Sequence, residues 1–404
     1  MTIEKLEKGK EVLDILNKNG GSARFVGGCV RNHLLGVALS DIDIATTLTP
    51  AQATAAFESK GIRVIPTGVD FGTITAVYGK KNYEITTLRS DLSCDGRHAK
   101  VSFSKDYAED AARRDFTFNA LYMDIDGKIY DFFDGQKDLK NGVVKFIGSP
   151  EERIREDYLR ILRLFRFHAY FGAGNISQDQ LDACRSLCNG LDQISGERIH
   201  AEMIKLLSSS KCFNAIDAMI SCGVLSQITA LSEGHFRPEF LIKISGMYNE
   251  LGQAQNPIVA LHGLLDKNMG EDKMEALFDR WRLSNKEKAL FERLNEALQI
   301  DLTDDYNLRK TARINGKDEF IQYVILNYAK GQTDLQTVRK LIIWVAGFVV
   351  PEFPLKSEDL LKLGLTPGKQ FGQILRAAEE LWERKNYKLG KKELLEQLNI
   401  TVKA

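Results

Sequence analysis

Strand signals stop at Gly148-Ser149-Pro150, and this change of texture restricts the chain to a mixed head followed by a helical remainder. Before it, helical and strand patterns alternate. An amphipathic N-terminal helix precedes a strand at 23–26, a short helix at 30–35, a strand at 42–45 and a helix after Thr49-Pro50. The runs 73–78 and 83–88 flank Gly79-Lys80-Lys81-Asn82 as a hairpin, and Asp126-Gly127 joins 120–125 to 128–133 as another. Residues 89–105 are polar and read as a loop. After the border, apolar residues recur with a 3.6 period, most clearly over 154–169, 198–207, 258–265, 286–298, 335–348 and 370–384. The expected class is α+β: a mixed sheet with flanking helices, then an all-α remainder. At 404 residues the chain is too long for one core.

Composition narrows the class further. The 55 basic and 55 acidic residues balance, so any nucleic-acid surface must be a local patch. Cysteines at 29, 94, 184, 188, 212 and 222 form no secreted framework, and Cys184 and Cys188 read as buried thiols within helical sequence. The first residues are charged amphipathic helix and not a signal peptide. The longest apolar run, 341–350, ends at Pro351 and has core-helix length. A cytoplasmic protein is expected.

Three stretches carry chemistry. Gly27-Gly28-Cys29-Val30-Arg31 is followed ten residues later by Asp41-Ile42-Asp43. Aspartates two apart on a strand point the same way, and two like charges so placed make sense mainly around a cation. A glycine turn running into a helix offers N–H groups to a phosphate. The plain alternative is a surface strand with chance Asp-x-Asp spacing. Next, Arg113-Arg114-Asp115-Phe116-Thr117-Phe118-Asn119-Ala120 places two arginines before a strand-like run. Arg114 suits triphosphate oxygens, though Glu109 and Asp110 could simply neutralise a basic helix end. Last, one helix over 151–171 would align Asp157, Arg160, Arg163 and Arg166 along a ridge. Local salt bridging, including Glu156 to Arg160, is the competing account; each such pair is worth only ~0.2–0.5 kcal/mol.

Together with Asp134-Gly135-Gln136-Lys137-Asp138-Leu139, these motifs occur in the order seen in bacterial tRNA nucleotidyltransferases, the CCA-adding enzymes, which the chain resembles densely over 20–170. Their heads are similar to the polymerase beta nucleotidyltransferase superfamily. The resemblance implies an elongated helical neck, body and tail, with borders at 1–148, 149–210, 211–305 and 306–404. It implies Asp41 and Asp43 as catalytic ligands of two Mg²⁺ ions, with Gly28, Arg31, Arg114, Asp157, Arg160, Arg163 and Arg166 binding the nucleotide. Glu84 is a candidate third carboxylate, and Asp95-Gly96-Arg97-His98 matches the loop tied to the switch from C to A. The implied partners are tRNA, CTP and ATP, with no membrane and no obligate protein partner. Asp359–Lys369, a Gly/Pro turn between helical patterns, resembles the tRNA-binding tail element, and an ordinary helical corner fits it equally.

Base choice follows from hydrogen-bond polarity. Cytosine and adenine both present an amine beside a ring-nitrogen acceptor, which Asp157 and Arg160 would complement; uracil and guanine reverse both. A poly(A) polymerase, an enzyme restricted to CC or A addition, and a noncatalytic RNA-binding protein on a retained head are the alternatives.

Overall fold

A seven-stranded sheet organises the head. The structure, a computed structural model, describes residues 2–39, 41–91, 101–266, 268–365 and 368–398. The strands are β1 (Ala23–Val26), β2 (Asp43–Thr46), β3 (Arg63–Gly68), β4 (Thr73–Tyr78), β5 (Lys81–Thr87), β6 (Arg89–Asp91), β7 (Val101–Phe103), β8 (Leu121–Met123) and β9 (Ile129–Asp131). The sheet runs β3-β4-β5-β2-β1-β8-β9, with β2 and β5 parallel and every other pair antiparallel. Helices α1 (Thr2–Lys18), α2 (Gly28–Leu34), α3 (Pro50–Glu58), α4 (Tyr107–Ala112) and α5 (Gly135–Asn141) pack around it.

Strand alternation gives the sheet two buried faces. Leu13, Leu16, Phe25, Ile44, Phe57, Ile74 and Ile85 fill one core; Val26, Ala45, Tyr107, Ala111 and Tyr122 fill the other. Both hairpins form where the turn signals stand. Within the stretch read as a loop, β6 pairs with β7 in a separate two-stranded ribbon. Asp95-Gly96-Arg97-His98 lie outside the described residues. β8 falls within the expected strand at 120–125, and a 3-10 turn, Thr117–Asn119, precedes it.

The helices that follow are α6 (Pro150–Glu156), α7 (Leu159–Phe171), α8 (Gln178–Leu187), α9 (Gly196–Leu207), α10 (Cys212–Ser221), α11 (Val224–Thr229), α12 (Glu239–Glu250), α13 (Pro257–Leu264), α14 (Glu271–Trp281), α15 (Asn285–Ala297), α16 (Asp305–Ala329), α17 (Leu335–Gly347), α18 (Ser357–Lys362), α19 (Lys369–Arg384) and α20 (Lys391–Gln397). Ser149 caps α6 through the Glu152 N–H at 3.5 Å, with Pro150 at the first helical position, where its missing N–H costs nothing. The expected single helix over 151–171 is two. Asp157 is extended (φ −155°, ψ 105°), and its Oδ1 accepts the Leu159 N–H at 3.1 Å. The side chain offers the backbone a partner that competes with the helix ladder, so the helix restarts there.

Contacts divide the chain into two compact units, 1–236 with 267–283 and 237–266 with 284–404. In the first, α14 returns late in the sequence: Trp281 Nε1 donates to Ile228 O at 2.9 Å, and Arg280 Nη2 to Leu191 O at 2.9 Å. In the second, Arg313 clasps Glu379 and Glu383 beside Trp382, tying α16 to α19. Buried His262 bonds Asn295 Oδ1 at 2.8 Å, and burial, aided by Lys330, pushes its pKa down to about 3. In the tail turn, Asp359 pairs with Lys391, while Thr366 and Pro367 lie outside the described residues.

Gly135 starts α5 hard against the 3-10 turn. A Cβ there would sit 2.3 Å from Thr117 O, and Thr117 Oγ1 donates to Asp138 Oδ2 at 2.7 Å. Because the clash is with backbone, Gly135→Ala lowers stability by about 1–3 kcal/mol in urea unfolding. Gly246→Ala, mid-helix in α12 with nothing within 4 Å, raises it by up to about 1 kcal/mol.

Candidate active site

Asp43 opens β2 and is half-buried, whereas Asp41, expected on the same strand, stands two residues before it, outside the strand, and is exposed. Ile42 and Ile44 are buried in the first core, and strand alternation turns Asp43 to the other face. Glu84 is the register partner of Asp43 across the parallel β2–β5 pair and is exposed. Burial first, then Glu84 and Asp41, push the Asp43 carboxyl up to about 6, with Arg114 opposing. A carboxylate so burdened gains from a positive charge beside it, and hard oxygen donors fit a divalent cation. Among the described residues no three His, Cys, Asp or Glu side chains form a metal-holding group.

The glycine turn stands next to this face. Gly27 has φ 71°, which favours glycine, and its N–H donates to Leu121 O at 3.0 Å. Two guanidiniums wall the turn. A Cβ at Gly27 would lie 3.4 Å from Arg114 Nη1, and one at Gly28 3.8 Å from Arg31 Nη2. Cys29 anchors α2 beneath them, its thiol on Val26 O at 3.2 Å and Asp43 O at 3.6 Å; burial pushes that thiol up to about 11, so it serves as packing.

Each arginine is aimed by a buried acid or amide. Asp110 takes Arg113 Nη2 at 2.7 Å, Arg114 Nη2 at 3.1 Å and the Tyr122 hydroxyl at 2.7 Å. Against burial, Arg114 and Arg113 hold that carboxyl at about 2. The neutralised helix end therefore exists, and it orients Arg114 toward the glycine turn. Arg31 Nη1 donates to Asn119 Oδ1 at 2.6 Å, and Asn119 Nδ2 to Asp115 Oδ1 at 3.0 Å. Arg163 Nε closes the chain on Asp115 Oδ2 at 2.7 Å, and Arg166 pairs with Glu202 on α9.

The residues expected to recognise the base do not form the expected single ridge. Asp157 occupies the break between α6 and α7, its Oδ2 accepting from Arg198 Nη2 at 2.8 Å. Arg160 pairs with Glu156, as local salt bridging predicts, and also donates to Arg153 O at 2.9 Å and Arg113 O at 3.2 Å. It thus links α7 to the head. Sequence reasoning offered Asp110 only as a neutraliser of the helix end, and assigned no individual role to Asp115, Asn119, Arg198 or Glu202. Asp115 and Asn119 stood inside the quoted arginine motif; Glu202 and Arg198 had no local signal.

A glycine turn between two guanidiniums, beside carboxylates at the start of β2, has the make-up of a nucleotidyltransferase head. Residues 23–145 match the family described as "Poly A polymerase head domain", and 175–230 match a probable RNA and SrmB-binding site of polymerase A. The chain is 35% identical to "CCA tRNA nucleotidyltransferase 1, mitochondrial" of Danio rerio, spanning 96% of this chain and 89% of that protein. It is 32% identical to the CCA-adding enzyme of Limosilactobacillus fermentum over 91% of this chain and 90% of that one. The fold matches the Bacillus stearothermophilus CCA-adding enzyme, with a TM-score of 0.73, 24% identity and 97% of both chains covered. The chain belongs to the CCA tRNA nucleotidyltransferase family. Enzymes of this kind use a divalent metal. No helix among the described residues is long and apolar enough to cross a membrane.

The Asp43 shift gives a pH prediction. Its carboxyl is raised in the fold, so no penalty exists below the unfolded pKa, and stability is lost as pH rises through about 6. Metal-free Asp43→Asn should melt above the wild type at pH 8, by an equivalent of about 1–3 kcal/mol, and match it at pH 4. Added divalent cation should close the gap by stabilising the wild type alone.

Proposed function

We propose that this chain adds C, C and A to tRNA 3′ ends from CTP and ATP without a nucleic-acid template. The reaction is attack of the terminal 3′-hydroxyl on the α-phosphate, with release of pyrophosphate. The observation that carries it is the continuous chain Arg31–Asn119–Asp115–Arg163, which joins the glycine turn to α7, the helix that follows Asp157. Phosphate-binding and base-reading groups therefore belong to one structure. The curated relatives named above support both the activity and the tRNA substrate.

Two Mg²⁺ held by Asp41 and Asp43 would supply Lewis-acid activation of the hydroxyl and charge neutralisation at the leaving oxygens. The remaining work is positioning. Gly28, Arg31 and Arg114 receive the triphosphate, and Arg163 and Arg166 continue the cationic row along α7. Asp157 accepts from the exocyclic amine of cytosine or adenine, and Arg160 donates to the adjacent ring nitrogen. The Asp157 oxygens already accept from Leu159 N and Arg198, yet each keeps a second lone pair for the base. Uracil and guanine leave both groups facing like polarity, a mismatch that can reject a substrate by ~10⁴-fold.

We assign the head to 1–148, the neck with its recognition residues to 149–210, the body to 211–305 and the tRNA-binding tail to 306–404. Cys184 is buried as expected whereas Cys188 is only part-buried, and the chain is expected to work in a reducing compartment, which we read as the cytoplasm.

One assay tests the reading. tRNA transcripts lacking CCA, ending in the first C or ending in the second C are offered each nucleotide in turn. The wild type should add CTP, then ATP, and stop when CCA is complete; Asp157→Ala should accept UTP and GTP at least tenfold better relative to CTP. Long A tails would instead indicate a poly(A) polymerase, A addition to CC-ended RNA alone a restricted enzyme, and unchanged selectivity in the variant would remove Asp157 from base choice.

A further inference from the structure

At the end of the row of arginines, α2, α5, α7 and α9 enclose a cavity of about 700 Å³. Its charged lining is Arg31, Arg166 and Lys205, with Asn32, Tyr170 and Phe171 beside them and no carboxylate residue in the wall. Neither paired aspartate lines it, nor does Asp157 or Arg160. The cavity therefore overlaps the nucleotide-binding row at Arg31 and Arg166 and extends past it to Lys205. From Arg160 to Arg166 α7 rises ~9 Å, roughly the reach of a triphosphate from its ribose, and Tyr170 lies one turn further.

Charge in this region is not balanced. Arg31 is 9% exposed, yet its hydrogen-bond partners are two amides, Asn119 and Asn32, and it enters no ion pair among the described residues. Burial and the neighbouring Arg166 and Arg163 bring its pKa down to about 10, the mark of a cation crowded by its own kind. Lys205 is exposed, and among the described residues it too enters no ion pair. The Tyr170 hydroxyl donates to the Lys205 carbonyl at 2.9 Å, fixing α9 against α7 at the cavity mouth. Asp115 and Glu202 offset only two of the four cations Arg31, Arg163, Arg166 and Lys205. Arg31 lies over the Phe167 and Phe171 rings and bonds no carboxylate, so it can serve the bound triphosphate and then its departing product, with Lys205 as the cation still unspent.

We propose that this cavity receives the leaving pyrophosphate, and that Lys205 holds it after it has parted from the nucleotide. The inference rests on the nucleotidyl-transfer reading. As the 3′-oxygen bonds to the α-phosphorus, the bond from that phosphorus to the bridging oxygen breaks. Pyrophosphate departs with the electron pair, and the hydroxyl proton passes to solvent. The product then carries two or three negative charges and no base, so Asp157 and Arg160 no longer retain it. The excess of two positive charges matches it, and Lys205, furthest along the row, offers three donors on a flexible stem. Moving the product there clears the glycine turn for the next nucleotide while the RNA stays in place.

The test compares the full-length wild type with Lys205→Ala, Lys205→Glu and Lys205→Arg. Inorganic pyrophosphate is titrated calorimetrically, and its inhibition of CTP incorporation into a transcript lacking CCA is measured. Kd and Ki for pyrophosphate should rise five- to tenfold in Lys205→Ala and further in Lys205→Glu, and return within twofold in Lys205→Arg. The KM for CTP should move less than twofold in Lys205→Ala. Unchanged pyrophosphate affinity in Lys205→Glu would overturn the proposal. So would an equal rise in KM for CTP, which would make Lys205 part of the substrate site alone. Failure of the wild type to incorporate CTP would strike the reaction itself, a separate outcome visible before any variant is compared.

Discussion

Asp115 is the carboxylate on which the geometry of the site depends. It is 8% exposed, receives the Phe116 N–H at 2.9 Å and the Asn119 amide at 3.0 Å, and spends its other oxygen on Arg163. Against the cost of burial, Arg163 and these hydrogen bonds keep it ionised well below the usual carboxylate range. Through Asn119 it fixes Arg31 over α2, and through Arg163 it sets the roll of α7. Removing one partner from such a buried pair strands the other charge, typically at about 3–5 kcal/mol.

Asp110 repeats the device on the other side of the glycine turn. Its two oxygens divide Arg113 from Arg114, and the Tyr122 hydroxyl completes the set. The arginines are thereby held before any phosphate arrives, so less side-chain freedom is lost on binding. The opposite condition holds at Asp43, where Glu84 and Asp41 add negative charge without a nearby answer except Arg114. One half of the site keeps positive charge held in place by Asp110, and the other keeps negative charge; both are left for ligands to neutralise.

Much of this was legible in the sequence. Period-two patterns and turn residues located the head strands, and Asp-x-Asp spacing found the carboxylate pair, although β2 begins only at Asp43 and leaves Asp41 ahead of it. The helix break at Asp157 was hidden because apolar and charged spacings run through it unchanged, whereas the interruption comes from one side-chain hydrogen bond to backbone. Arg31 meets Asn119 across 88 residues and Arg163 meets Asp115 across 48, separations that leave no periodic trace. Glu202 reads as an ordinary helix residue until α9 buries it against Arg166. The return of α14 to the first unit is likewise a matter of long-range packing.

The central claim is that the glycine turn and the recognition helix act as one site because Asp115 and Arg163 join them. A double-mutant cycle tests it most directly, with Asp115→Asn and Arg163→Gln singly and together, read as kcat/KM for CTP on a transcript lacking CCA. The account predicts strong non-additivity, with the double variant about as impaired as the worse single one and a coupling of at least about 1.5 kcal/mol. Losses that add to within about 0.5 kcal/mol would show that the two residues work independently and would contradict it.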